Sequence, residues 1–278
     1  MTSPLLLSRY KLTDFLACQR RFELRYLRRL TWPAVPRPEE DEARAALGRQ
    51  FHQLLQRHFM GLPGEAAAIG DARLRRWWNL FKQNQPDLPD GRILTEATLT
   101  IPIGRHFLHG RFDLLVIGEE EGRPFAHVFD WKTGKAQDEA TLRRDWQTRL
   151  YLALLAEGGG ALWGEGTPAK LHPDDIRITY WYVTEPDSPR TLQYSQAEHR
   201  QNWGELTAVV SQIETHLENG DWPLTDDLAQ CRWCSYQIYC GRGEGDTAVS
   251  DPDESEEEPL FPDVEPALPW RWTIFTFY

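Results

Sequence analysis

His106-Phe-Leu-His-Gly-Arg-Phe-Asp-Leu-Leu-Val-Ile-Gly-Glu-Glu-Glu-Gly-Arg-Pro-Phe-Ala-His-Val-Phe-Asp-Trp-Lys-Thr-Gly134 holds two runs of strand composition, 106–117 and 123–132, separated by the turn signal Gly118–Gly122. A third run, 92–103, precedes them across Ile103-Gly104-Arg105. Three β-prone runs with short connections predict an antiparallel meander. Asp130 and Lys132 lie at i and i+2 on the last strand, so they project together while Trp131 points away. An antiparallel neighbour can bring Asp113 beside Asp130. Two carboxylates next to a lysine offer hard oxygen ligands to Mg2+ or Mn2+. The lysine can orient or activate a water, or stabilise the charge of a pentavalent phosphorane. A lone D-x-K triplet is ordinarily a surface ion pair. Its position at a strand end, with an acid one strand earlier, points to chemistry.

Around the meander the periodicity is helical. Residues 12–30 carry Phe15, Cys18/Gln19, Phe22 and Tyr26 at helical spacing, with Arg20, Arg21, Arg25, Arg28 and Arg29 on the other side. Those arginines are either a solvated face or phosphate contacts. Pro33, Pro36 and Pro38 precede a second helix over about 40–60 that contains Gly48-Arg-Gln-Phe-His52, and a third holds Trp77 and Trp78. A helix over about 138–157 ends at Gly158–Gly160 and places Gln147 and Tyr151 on one face at i and i+4. Ile176–Val183 is a strand with a hairpin partner around 191–194, and a long helix of about 196–219 leads to Trp222-Pro223. The fold class is α/β.

At 278 residues with 41% hydrophobic and 26% charged content, the chain has the composition of a globular protein with a real core. No apolar run is long enough to span a membrane, and the N-terminal stretch lacks a basic region and a proper apolar segment, so no secretory signal is expected. The net charge of −11 is concentrated at the end. Residues 244–278 hold ten acids and one arginine, net −9, which leaves −2 on residues 1–243. A nearly neutral body can hold a basic groove opposite an acidic face. Residues 244–258 read as a disordered linker and 270–278 as an aromatic, β-prone tail. That tail either adds a strand to the body, competes with a substrate for a basic groove, or docks a partner.

Only four cysteines occur: Cys18, then Cys231, Cys234 and Cys240. So few suit a reducing, cytoplasmic setting, with two disulfides as the alternative. Four thiolates are what an all-cysteine zinc site or a 4Fe–4S cluster requires. A shared site would tie the first helix to the far end of the chain. The Cys-x5-Cys gap and the distant fourth ligand favour iron–sulfur over Zn2+.

The order Gly48-x3-His52, Gly110-x2-Asp113, Asp130-x-Lys132, Gln147-x3-Tyr151 resembles the PD-(D/E)XK nuclease superfamily, specifically its RecB-like branch. Leu12-Thr-Asp-Phe-Leu-Ala-Cys18-Gln-Arg-Arg-Phe22 and Cys231-Arg-Trp-Cys234-Ser-Tyr-Gln-Ile-Tyr-Cys240 resemble the opening and closing motifs of its iron–sulfur members, of RecB/AddB type. The resemblance covers about residues 8–241. It implies a restriction-endonuclease-like core, a central mixed sheet flanked by helices, whose terminal segments are joined by the cluster. Residues 1–243 would be one nuclease domain and 244–278 its linker and tail. It further implies His52, Asp113, Asp130 and the Trp131 main-chain carbonyl as metal ligands and Lys132 as the catalytic lysine. Gln147 and Tyr151 would lie beside the active site and touch the DNA strand. Cys18, Cys231, Cys234 and Cys240 would hold the 4Fe–4S cluster. Glu96 matches an acidic position on the first strand.

The activity so implied is a Mg2+- or Mn2+-dependent deoxyribonuclease, an exonuclease acting on DNA ends or single strands in repair or recombination. A CRISPR adaptation nuclease of the same superfamily is the alternative within the class, and a non-catalytic DNA-end-binding subunit is the alternative outside it. No Walker A lysine motif is present, so a helicase would be a partner and not this chain. Of the twelve tryptophans, Trp131 and Trp146 flank the motifs and are the first candidates for stacking on unpaired bases.

Overall fold

The computed structural model describes residues 3–31, 39–62, 69–164, 171–232 and 234–242. The proposed domain boundary at 243 and the acidic and aromatic tail lie outside the described residues. One mixed sheet organises the rest. The meander is formed by β2 (Arg92–Ile103), β3 (His106–Glu120) and β4 (Arg123–Lys132). β5 (Ile176–Tyr182) then joins β4 in parallel, and β6 (Glu185–Gln193) closes the edge antiparallel to β5. A short β1 (Leu6–Leu7) pairs in parallel with the start of β3. Helices cover both faces. One layer packs against α1 (Arg9–Ala17), α6 (Trp146–Gly158) and α7 (Gln196–Asn219), and the other against α3 (Glu39–Phe59) and α4 (Ala72–Gln83). Between the parallel neighbours β4 and β5 the chain crosses over through α5 (Glu139–Arg144) and α6.

The β2–β3 hairpin changes face in its middle, and this decides where the site lies. On β3, Phe112 belongs to the α6 layer, yet Leu114 and Val116 belong to the opposite layer, while Leu115 and Ile117 return to the first. A regular strand would keep residues 112, 114 and 116 together. The slip falls at Asp113. On β2 it falls at Glu96, whose φ is +51°, a left-handed backbone that costs a residue with a Cβ of the order of 1 kcal/mol or more. Thr95 pairs with Leu114 and Ala97 with Phe112, so Glu96 lies opposite Asp113 and the register is unchanged on either side. Both strands are out of phase by one residue at the same place. On the other side of β3, the ladder to β4 runs from Glu120/Arg123 to Leu114/Phe129. One step further it would bring Asp113 opposite Asp130.

Several expected elements differ in their limits. The helix predicted over 12–30 starts at Arg9 and is interrupted at Cys18, whose extended backbone (φ −162°, ψ 108°) separates α1 from α2 (Gln19–Phe22) and a π-helical turn, Glu23–Leu27. The helix predicted over 138–157 breaks at Asp145, which ends α5 and caps α6 through a hydrogen bond to the Gln147 N–H. The helix stops at Gly158, as expected, and a 3-10 turn, Gly159–Trp163, follows it. β6 begins six residues earlier than its predicted core because Pro186 and Pro189 are tolerated on an edge strand. None of the helices among the described residues is long and apolar enough to cross a membrane.

Two histidines make the fold sensitive to acid. Burial pushes His127 down to about 4, helped by the nearby charge of Arg177; its Nε2 is 2.7 Å from Thr179 Oγ1. His109, half-buried on β3, is likewise pushed down to about 4 by its desolvation, with Arg111 and Lys11 adding to the effect. A folded-state pKa below the unfolded value of about 6.5 means that the unfolded chain binds more protons between pH 6.5 and 4. Stability is therefore full above pH 6.5 and falls as the pH drops through that window, by up to roughly 3 kcal/mol per histidine. Thermal melts from pH 7.5 to 4.5 should show this decline, and His127→Gln should make it shallower. An unchanged slope in that variant would assign the effect elsewhere.

Candidate active site

The site forms where the meander splits. Beyond Leu114/Phe129 the strands β3 and β4 no longer exchange main-chain bonds, and the Asp113 side chain takes over: its Oδ2 accepts the Trp131 N–H at 3.0 Å. His52, on α3, places Nδ1 3.3 Å from the same oxygen. Its approach depends on Gly48, one turn earlier. A Cβ there would stand 3.2 Å from Thr133 Oγ1, so glycine lets α3 pass close to the loop after β4. The expected histidine and first acid thus meet.

Asp130 is only 1% exposed, and its charge is held by two partners. Lys132 Nζ is 2.9 Å from Oδ1, and Gln147 Nε2 donates to Oδ2 at 2.6 Å. Lys132 Nζ also donates to Gln147 Oε1 at 2.9 Å, which closes a three-membered ring of side chains. Gln147 can satisfy both neighbours only with its carbonyl toward the lysine and its amide nitrogen toward the carboxylate. The break at Asp145 delivers it: Asp145 Oδ1 accepts the Gln147 N–H at 2.6 Å, so the residue enters at the first turn of α6 and faces β4. Under this ring lies Tyr180, the β5 neighbour of Asp130. Lys132 Nζ is 5.8 Å from its ring centroid. Burial first, and the Asp130 charge second, push the Tyr180 hydroxyl well above its usual range, so it stays a neutral partner of Thr148 at 2.7 Å.

Glu96, Asp113 and Asp130 therefore stand in one row across β2, β3 and β4, with Glu96 bound to Arg111 Nε at 3.0 Å. Their oxygens together with the His52 imidazole are a donor set suited to a hard divalent cation. Each ligand candidate is turned toward a protein partner. Among the described residues no group of three or more His, Cys, Asp or Glu side chains is gathered closely enough to hold a metal as it stands.

Tyr151 and Trp131 sit otherwise than expected. Tyr151 is buried, packs edge-on against Phe112 at 4.8 Å, and donates its hydroxyl to the Arg111 carbonyl, so in this conformation it braces β3. Gly110 makes the fit: a Cβ there would come within 2.5 Å of Leu154 and 3.2 Å of the Tyr151 ring. Trp131 is 2% exposed and stacks on Phe59 at 5.7 Å, which removes it as a surface for nucleobases. Trp146 is partly buried, with the Arg149 guanidinium 4.3 Å from its ring centroid.

The far end of the chain does reach the first helices. Arg20 N–H donates to the Pro223 carbonyl at 3.1 Å, Tyr236 Oη to the Leu30 carbonyl at 3.0 Å, and Trp222 stacks on Phe22 at 5.7 Å. All four cysteines are free thiols, so the two-disulfide alternative is not realised. They lie within electrostatic reach of one another: Cys18 and Cys231 both act on Cys234, and all three act on Cys240. Burial, the larger effect, pushes the Cys234 and Cys240 thiols up. Four of the five arginines of the first helices are paired within the fold. Arg21 and Arg25 bind the buried Asp14 at 2.9 and 2.7 Å, and Arg20 and Arg28 bind the buried Glu23 at 2.7 and 2.6 Å. Two acids hidden in the apolar face of the sequence thus consume four cations, a pairing that spacing alone did not reveal.

A family model for the PD-(D/E)XK nuclease superfamily matches residues 6–241. A solved structure of an exonuclease assigned by similarity, from Eubacterium rectale, superimposes with a TM-score of 0.52 at 12% identity, covering 89% of this chain and 92% of that one. The crystal structure of SSO0001 covers 86% of this chain and 87% of its own at 15% identity, with a TM-score of 0.38. A search of curated protein sequences finds no match.

Proposed function

Because the chain belongs to the PD-(D/E)XK nuclease superfamily, we propose that it is a Mg2+- or Mn2+-dependent deoxyribonuclease of the RecB/AddB-like branch. In this reading it acts as an exonuclease on DNA ends or single strands in repair or recombination. The observation that carries the proposal is the closed ring of Asp130, Lys132 and Gln147 beside Asp113. A non-catalytic end-binding protein would have no use for a lysine ammonium held between a buried carboxylate and an amide at the rim of the site.

His52, Asp113, Asp130 and the Trp131 carbonyl would hold the metal, which supplies a water of lowered pKa and neutralises phosphate charge. The chain's own residues do the rest. Asp113 ties β3 to β4 and presents its carboxylate at the split. Gln147 fixes the position of the Lys132 ammonium. From there the lysine orients the attacking water and offsets negative charge building on the phosphate, an electrostatic contribution that is large in a water-poor site. Cys18, Cys231, Cys234 and Cys240 would hold a 4Fe–4S cluster whose role is structural, with Zn2+ as the alternative occupant; the contacts between residues 20–30 and 222–236 support such a clasp.

The test is a time course on end-labelled single- and double-stranded DNA with Mg2+ or Mn2+, and with EDTA as control. Mononucleotides or short products released from the labelled end with metal only are expected. No cleavage of either substrate, with metal present and the protein folded, would overturn the proposal.

A further inference from the structure

The geometry points to Arg111 as a second cation of this site, one that contacts a backbone phosphate of the nucleic acid and is held ready by Glu96 and Tyr151. This rests on the nuclease reading above and adds to it a residue that the motifs do not include.

Three observations converge on Arg111. Its guanidinium Nε is 3.0 Å from Glu96 Oε2, and Glu96 lies across from Asp113 between the pairs Thr95/Leu114 and Ala97/Phe112, so the positive charge sits against the acidic residues of the site. The Arg111 side chain is 41% exposed while that of Glu96 is 21%, so the arginine is the more solvent-accessible member of the pair. A planar guanidinium presents five donors in a fork that suits phosphate oxygens, so one carboxylate does not exhaust it. The third observation is the investment in its position. Tyr151 donates to the Arg111 carbonyl, Gly110 gives Tyr151 the room to do so, and Glu96 adopts a left-handed backbone. A strained residue at an active site that grips a half-exposed arginine is more than a surface ion pair requires.

The two residues of the Gln147-x3-Tyr151 pattern then share one task. One turn of α6 positions two cations: Gln147 the lysine through its side chain, and Tyr151 the arginine through its main chain. Tyr151 is a positioning residue in this scheme, and Arg111 makes the contact.

The experiment measures binding of a single-stranded oligonucleotide in EDTA as a function of salt. Loss of one phosphate contact lowers the slope of log K against log salt by about 0.7 for a single strand. Arg111→Gln should show that loss together with roughly tenfold weaker binding, in keeping with a charged hydrogen bond. Arg111→Lys should restore the slope and part of the affinity. The double variant Glu96→Gln/Arg111→Gln separates contact from mere neutralisation: it should remain weak, with a lower slope than Glu96→Gln alone. Wild-type affinity and slope in Arg111→Gln, or their recovery in the double variant, would overturn the inference while wild-type cleavage still supported the nuclease. A wild-type protein that neither bound nor cut DNA would instead remove the nuclease reading.

Discussion

Lys132→Ala protein, assayed on end-labelled DNA with Mg2+ or Mn2+, is expected to lose cleavage by about 10³-fold or more. The magnitude follows from what single cations and donors aimed at developing charge contribute in other active sites. The loss should appear in turnover and leave DNA binding largely in place, because Lys132 is only one of the positive groups near the strand. A stability cost must be kept apart from it. The ammonium lies 2.9 Å from the buried Asp130, and removing it leaves a buried carboxylate that has lost its cation, with the Gln147 amide still donating to it. Breaking such a pair can cost about 3 kcal/mol or more. Melting curves and a second variant, Lys132→Met, which keeps the aliphatic stem, therefore belong to the experiment. Both variants should be folded at the assay temperature and both inactive. Cleavage at the wild-type rate by either one would take the lysine out of the mechanism. Asp130→Asn makes the complementary point: its amide would face Gln147 with two donors opposed, or turn a donor toward Lys132, so the ring cannot close in either orientation.

The extent of the meander was legible because its strands are flanked by glycine turns and carry β-branched and aromatic residues; β2 and β4 have the predicted limits, and β3 runs three residues further. Alternation also placed Asp130 and Lys132 on one side, where they meet. Alternation could not show the change of face at Glu96 and Asp113, since the residues on both sides are apolar and a one-residue slip conserves composition. It likewise hid the environment of Trp131. Its place between the motif residues suggests stacking on bases, yet the face of the sheet to which it points is covered by α3 and α4. The break at Asp145 was masked by good helix formers on either side, although Asp two residues before Gln147 is a capping signal in hindsight. The arginine pairs depend on Asp14 and Glu23 being buried, a tertiary fact without a periodic signature.

Replacing Cys234 by Ser should show whether the four thiols close the ends of the fold. They come from residue 18 and residues 231–240, so a shared centre crosslinks segments more than 200 positions apart, and its loss releases a very long loop. Wild-type protein purified without oxygen is expected to be brown, to absorb near ~400 nm and to contain about four irons per chain. Cys234→Ser should be colourless and destabilised by more than about 4 kcal/mol, the range reached when a metal centre is lost. For a chain of this size that corresponds to a melting temperature lower by roughly 8–16 °C. The surroundings agree with an anionic centre. Arg242 donates to Cys231 Sγ at 3.7 Å, and Arg21 and Arg20 act on Cys234 and Cys240. Four thiolates on iron or zinc would carry net negative charge, which such arginines would offset. Zinc in place of iron in a colourless, equally stable wild-type protein would change the occupant and preserve the clasp. A Cys234→Ser variant as stable as wild type would remove the clasp itself, because the hydrogen bonds of Arg20 and Tyr236 and the stacking of Trp222 on Phe22 would then suffice to hold the two ends together.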